Sequence, residues 1–214
     1  MSKLYKTYIP KCPWVKYWLA TGLDINSIKK VYEENREYIR GFGELKLYDM
    51  YKGKEIDMKD IRFAKQVCKF SEEVGRLPVY IHYNLVNDGD VKKFKKLLEQ
   101  YSTVPVVLCH CGMSEESHMF AWEGVLKLMR EHGNLWVDVS WEASKWLFKN
   151  PFLLTQLIRE RVIWGSDDSP ARHRVDDDPN RDVNWTDEEI KEGTELLKFI
   201  TQNANIEKLF NERF

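Results

Sequence analysis

Two histidines and an aspartate close three apolar runs of the chain, and side chains of these types could together bind a metal ion. The runs are residues 77–83, 104–112 and 161–167, and the polar residues at or near their ends are His82, His110 and Asp167. Each run has the length and composition of a strand buried in a parallel sheet, where a polar residue at the carboxyl tip breaks the apolar pattern. Parallel α/β folds place their chemistry at that edge of the sheet. The sequence therefore predicts a metal site, with zinc the expected ion and manganese or iron the alternatives.

Helical and strand-like segments alternate around these runs. Apolar residues recur at helical spacing over residues 25–38, 58–74, 90–101 and 116–132, and further helices are predicted at 186–201 and 206–214. Strands are predicted at 41–48 and 134–140 in addition to the three runs above, and residues 49–57 are predicted to form a loop. Five or six strand–helix units indicate an α/β fold with a parallel sheet, either a barrel or a doubly wound sheet. The expected organisation is a single domain over residues 1–214.

The two-residue period of a strand assigns faces to the polar residues. Tyr80 shares the face of His82, and Asp138 lies opposite the apolar stripe of its own strand. Glu44 and Lys46 both lie opposite Leu45, so that alternation does not choose between them as site residues. If His110 faces the site, Cys109 and Cys111 face away, which favours two buried apolar side chains over a zinc-binding pair.

Composition and charge indicate which partners and which location to expect. The chain of 214 residues has a formal net charge of −1, so neither nucleic acid nor an anionic membrane is expected as a partner. The residues near Met1 contain no long apolar run, so neither a signal peptide nor a membrane span is predicted. Four scattered cysteines in a chain of this size indicate reduced thiols and a cytoplasmic location.

Taken in order, these motifs resemble the amidohydrolase superfamily, and most closely its branch of aminocarboxymuconate-semialdehyde decarboxylase-like enzymes. The similar segments are 43–47, 77–82, 107–112, 135–138 and 162–167, and residues 203–210 are similar to the terminal helix of that branch. The resemblance implies a (β/α)₈ barrel, or TIM barrel, that holds one or two divalent metals. It also implies that His82 and His110 occupy the fifth-strand and sixth-strand histidine positions.

The resemblance further implies that Asp167 binds metal and takes the proton of the attacking water. Glu44 or Lys46 falls where relatives carry a bridging glutamate or a carbamylated lysine. The His-x-His pair of the family's first strand does not occur in this sequence. We therefore expect a barrel that is truncated at its N-terminus to about six βα units. The unpaired edges of such an arc favour a homo-oligomer.

Two functions follow as hypotheses. The first is a metal-dependent hydrolase, or a related lyase such as a decarboxylase, that acts on a small-molecule substrate with help from Lys46, Asp138 and Arg172. The second is a non-catalytic barrel remnant that acts as a scaffold or a ligand-binding subunit. Arg172 could hold a substrate carboxylate or phosphate, or could belong to a solvated loop whose aspartates balance its charge. A nuclease-like relative is disfavoured because the charge balance provides no basic groove.

Overall fold

A computed structural model describes residues 17–19, 24–47, 49–51, 54–56, 61–112, 118–139, 160–164 and 208–209. The strands are β1 (Tyr17–Leu19), β2 (Ile39–Lys46), β3 (Asp49–Tyr51), β4 (Lys54–Ile56), β5 (Val79–His82), β6 (Val106–Leu108), β7 (Leu135–Val139) and β8 (Val162–Trp164). The helices between them are α1 (Ile25–Asn35), α2 (Arg62–Glu73), α3 (Asp88–Gln100) and α4 (His118–Glu131).

Six strands form one parallel sheet in the order β1-β2-β5-β6-β7-β8. Each strand of this sheet therefore lies beside its predecessor in the chain, and the order never reverses. A doubly wound sheet contains a point at which the strand order reverses, whereas a β/α barrel runs in chain order. The α/β fold with a parallel sheet is thus confirmed, and the strand order is that of a barrel.

The two faces of the sheet carry different apolar clusters. The larger cluster lies between the sheet and the helices and includes Ile81, Leu108 and Val137. The smaller cluster lies on the opposite, inner face and consists of Val107, Trp136, Ile163 and Leu209, with Tyr80 packed against it. Neighbouring residues of one strand thus fall into different clusters, as the two-residue period requires. The inner face is the one on which the polar residues were predicted.

A bulge in β2 interrupts this alternation close to the predicted site. Phe42 pairs with Val79, whereas Leu45 pairs with Ile81, so that three steps along β2 match two steps along β5. Phe42 and Leu45 consequently both pack in the larger cluster, although strict alternation would put them on opposite faces. The extra residue lies at Gly43–Glu44, where the peptide bond is cis.

Several element boundaries differ from the sequence prediction. Helix α1 begins as predicted, with the Asp24 side chain accepting hydrogen bonds from the backbone of Asn26 at 2.9 Å and of Ser27 at 3.2 Å. It ends at Asn35 rather than at residue 38, and β2 begins at Ile39 rather than at residue 41. The predicted loop at 49–57 contains an antiparallel hairpin of β3 and β4. Strand β1 was not predicted, and the helix predicted at residues 186–201 lies outside the described residues.

Among the described helices, none combines the length and the apolar composition that a membrane crossing would need.

Candidate metal centre

The carboxyl ends of β2 and β5 bring Glu44 against His82. The two strands run in parallel, with Lys46 opposite His82 in the backbone register. The bulge at Gly43 places the Glu44 side chain on the inner face, where its Oε1 lies 2.5 Å from Nδ1 of His82. The Glu44 side chain is 29% exposed and that of His82 is 12% exposed. The contact is a short hydrogen bond in a site that is shielded from most of the solvent.

Gly43 makes this approach of the two strands possible. A Cβ at this position would lie 2.4 Å from Cβ and 2.6 Å from the carbonyl oxygen of Tyr80, distances that no side chain can adopt without moving a strand. Gly43 also has a φ of 142°, which side chains disfavour. A glycine is therefore required directly before the site carboxylate.

A tight turn, rather than the end of a strand, places His110. Strand β6 ends at Leu108, and residues 109–112 form a tight turn in which His110 and Cys111 have φ values of 50° and 53°. The Gly112 carbonyl accepts a hydrogen bond from the Leu85 backbone at 2.8 Å, which anchors the turn to the segment that follows β5. Left-handed conformations of residues other than glycine are unfavourable and concentrate at functional sites. The turn holds His110, only 8% exposed, beside His82.

Glu44, His82 and His110 form one compact cluster. The two imidazole rings meet edge to face, with their centroids 4.6 Å apart and their planes at 66°. One potential ligand atom from each of the three residues lies within 4.8 Å of those of the other two. Two imidazoles with a carboxylate beside them suit zinc, manganese or iron, because such a carboxylate either binds the metal or orients an imidazole that does. The residues present therefore fit the metal that the sequence predicted.

A second polar contact lies on the inner face beside this cluster. The Tyr80 hydroxyl donates a hydrogen bond to Oδ2 of Asp138, whose side chain is almost completely buried. Ile81, Leu108 and Val137 are aligned across three strands, so that the next residues of β5 and β7, His82 and Asp138, lie at the same level of the sheet. The sequence placed Asp138 and Tyr80 on the inner face, but it did not predict Tyr80 as a site residue. Tyr80 could have been identified from its position two residues before His82, which puts both side chains on the same face of the strand.

The two cysteines beside His110 are buried, as predicted, and carry reduced thiols. Cys111 packs in the larger cluster, and its thiol donates a hydrogen bond to the Asp138 backbone carbonyl at 3.5 Å. Burial raises the pKa of the Cys111 thiol well above its ordinary value, which disfavours the thiolate that a metal would bind. The predicted reason, strand alternation, does not apply because residues 109–112 form a turn.

Three predicted site residues cannot be placed beside this cluster. Asp167 and Arg172 lie outside the described residues. For Lys46 the structure describes the backbone, opposite His82, but not the side chain. The structure thus brings together Glu44, His82 and His110, with Asp138 at the same level of the sheet.

An α/β fold with a histidine and carboxylate cluster at the carboxyl ends of its strands defines a class to which many metal-dependent hydrolases belong. The sequence profile of the amidohydrolase family matches residues 72–202, which is more than half of the chain. The chain therefore belongs to the amidohydrolase family.

Among solved structures, the chain is similar to Amidohydrolase 2 from Bifidobacterium longum subsp. infantis. The two are 14% identical in sequence, and the similarity covers 91% of this chain and 79% of that chain, with a TM-score of 0.44. No curated protein matches the chain.

Proposed function

We propose that the chain is a metal-dependent hydrolase, or a lyase built on the same cluster, that acts on a small-molecule substrate. The observation that carries this proposal is the convergence of Glu44, His82 and His110 in a member of the amidohydrolase family. Hydrolysis is the first choice because two imidazoles and a carboxylate are the ligand types of hydrolytic zinc sites. A decarboxylase of the same family is the alternative reaction.

In this proposal His82 and His110 hold a divalent metal with Glu44 beside them, and Asp167 completes the ligand set. Zinc is the expected ion, with manganese and iron as alternatives. Such an ion, when bound, lowers the pKa of water and polarises a substrate carbonyl. Asp167 takes the proton of the attacking water.

The remaining polar residues are proposed to bind substrate. Asp138 has the best support, since it lies at the level of His82 on the inner face and is held there by Tyr80. A buried carboxylate in this position suits a substrate that presents a hydrogen-bond donor. Lys46 and Arg172 would hold an anionic group of the substrate.

Metal analysis tests the proposal. Protein purified without chelator should carry zinc, manganese or iron, and both His82→Ala and His110→Ala should carry much less. His132→Gln is the matched control because His132 lies at the end of α4, outside the cluster. Zinc addition should raise the melting temperature of the metal-free wild type and of the control only. If the wild type carries no more metal than the variants and zinc leaves its melting temperature unchanged, the chain is a scaffold or a ligand-binding subunit instead.

An activity assay separates a catalytic site from a merely structural one. We expect zinc-loaded protein to hydrolyse activated esters such as p-nitrophenyl acetate at a rate that a chelator abolishes and that zinc restores. His82→Ala should lack this rate. Metal binding without any chelator-sensitive hydrolysis would favour the lyase or a binding role.

We also propose that the chain is a single domain that assembles as a homo-oligomer in the cytoplasm. In the described part of the sheet, β1 and β8 are the first and last strands of the order, and the end strands of an open sheet favour association. The three described cysteines carry reduced thiols, which agrees with a reducing compartment. No nucleic acid or membrane partner is proposed. Light scattering that gives a single species of 25.5 kDa at micromolar concentration would contradict the assembly.

A further inference from the structure

We propose that Glu44 is a positioning residue that acts through His82: it holds the proton of that imidazole on Nδ1 and thereby leaves Nε2 to bind the metal. The inference rests on the proposed metal site but concerns the division of roles within it. The observation behind it is the 2.5 Å separation between Oε1 of Glu44 and Nδ1 of His82.

That distance is the distance of a hydrogen bond. One proton therefore lies between Oε1 of Glu44 and Nδ1 of His82. An ionised carboxylate can only accept hydrogen bonds, so that the proton belongs to Nδ1 of His82.

The arrangement fixes which nitrogen serves the metal. In a neutral imidazole, a proton on Nδ1 leaves the lone pair on Nε2, at the far side of the ring from Glu44. Metal-binding histidines are commonly held in this way, because a carboxylate on the second nitrogen sets the tautomer and the ring orientation. The Glu44 side chain enters the inner face only because of the bulge at Gly43, so the fold provides this partner by an irregularity of β2.

Nuclear magnetic resonance of the metal-free protein tests the inference without any activity. Long-range ¹H–¹⁵N spectra at about pH 8, above the usual imidazole pKa, report which ring nitrogen carries the proton. The signals of His82 are those missing from His82→Ala. We expect the wild type to show the Nδ1–H tautomer of His82, and this measurement needs no variant of Glu44 to fold. A proton on Nε2 would overturn the inference.

In the variant Glu44→Gln the His82 imidazole should no longer be held in one tautomer, because an amide can donate to Nδ1 as well as accept from it. Glu99→Gln, an exposed glutamate on α3, is the matched control and should leave the His82 spectrum unchanged. Zinc affinity should fall roughly 10- to 100-fold in Glu44→Gln, as for other residues that orient a ligand, and should be unchanged in Glu99→Gln. If Glu44→Ala, which leaves no side-chain group to accept from Nδ1, keeps the wild-type tautomer, Glu44 does not position His82.

Metal titration then separates this inference from the proposed function. On adding zinc we expect the Nε2 signal of His82 to shift while Nδ1 keeps its proton, and cobalt-loaded Glu44→Gln to keep the coordination number of the wild type. Binding of zinc to Nδ1, or loss of one ligand in the cobalt spectrum of Glu44→Gln, would make Glu44 a direct ligand and overturn the inference. If no histidine signal responds to zinc, the proposed metal function fails, whereas the tautomer measured without metal still decides whether Glu44 positions His82.

Discussion

Tyr80 and Asp138 are joined by a hydrogen bond across β6, although 58 residues of chain separate them. The phenol reaches over Val107, which lies between Tyr80 and Trp136 in the register of the three strands. The bond holds the Asp138 carboxylate at the level of His82 on the inner face. The bond therefore links Asp138, which lies beside the candidate site, to the smaller apolar cluster against which Tyr80 packs.

Tyr80→Phe removes the hydroxyl that donates to Asp138 and should destabilise the protein by about 1–3 kcal/mol, because a buried carboxylate loses a hydrogen-bond donor. Urea denaturation followed by tryptophan fluorescence measures the change. The control is Tyr101→Phe, whose hydroxyl accepts a hydrogen bond from Gln100, an exposed residue at the end of α3. Equal stability changes in the two variants would show that the Tyr80–Asp138 bond contributes little.

Much of this site could be predicted from apolar runs and the strand period alone. The run at residues 77–83 gave the strand, its polar end and the shared face of Tyr80 and His82, because burial of one face enforces alternation. The pairing of Tyr80 with Asp138 could not be predicted, since it depends on the register across β6. The register between strands that are distant in the chain is set by packing of the whole sheet, so a short stretch of sequence does not indicate it.

Two irregularities of the backbone also escaped prediction. The bulge at Gly43 changes the phase of β2, whereas the alternation of Glu44 to Leu47 continues as if the strand were regular. The turn after β6 puts His110 and Cys111 in a left-handed conformation that sequence signals assign mainly to glycine. In both places the tertiary structure overrides a local preference, and in both places it positions a side chain of the Glu44–His82–His110 cluster.

The Arg161 guanidinium should be a strong stabiliser of the end of α4. One of its nitrogens donates to the carbonyls of His132 at 2.6 Å and Leu135 at 3.2 Å, and the other donates to the carbonyl of Met129. A lysine cannot reproduce this fork, so Arg161→Lys should cost about 1–3 kcal/mol of the free energy of unfolding. Chemical denaturation checks this value against Arg130→Lys, an exposed change on α4 that should be close to neutral. A neutral result for Arg161→Lys would contradict the assignment.

His132 should make the fold less stable in mild acid. Burial lowers the pKa of its imidazole, and Lys95 acts in the same direction, whereas Glu99 and Glu131 raise it by less. As pH falls below the unfolded value near 6.5, the unfolded chain binds a proton that the folded protein resists, so stability decreases. When the pH is lowered from about 7.5 to 5.5, we expect the melting temperature of His132→Gln to fall by less than that of the wild type. Parallel pH profiles for the two proteins would exclude His132 as a source of acid sensitivity.

Gly43→Ala should disrupt the Glu44–His82–His110 cluster as well as the fold. The added Cβ would meet the backbone and Cβ of Tyr80 at distances under 3 Å, so β2 must move away from β5, and Glu44 must move with it. Overpacking of this kind costs about 1–3 kcal/mol or more. The matched change is Gly133→Ala, because nothing lies within 4 Å of a Cβ built at that position. We expect Gly43→Ala to lower both the urea midpoint and the zinc affinity, and Gly133→Ala to change neither appreciably. If Gly43→Ala retains wild-type stability and zinc affinity, the close approach of the two strands is not what places Glu44 against His82.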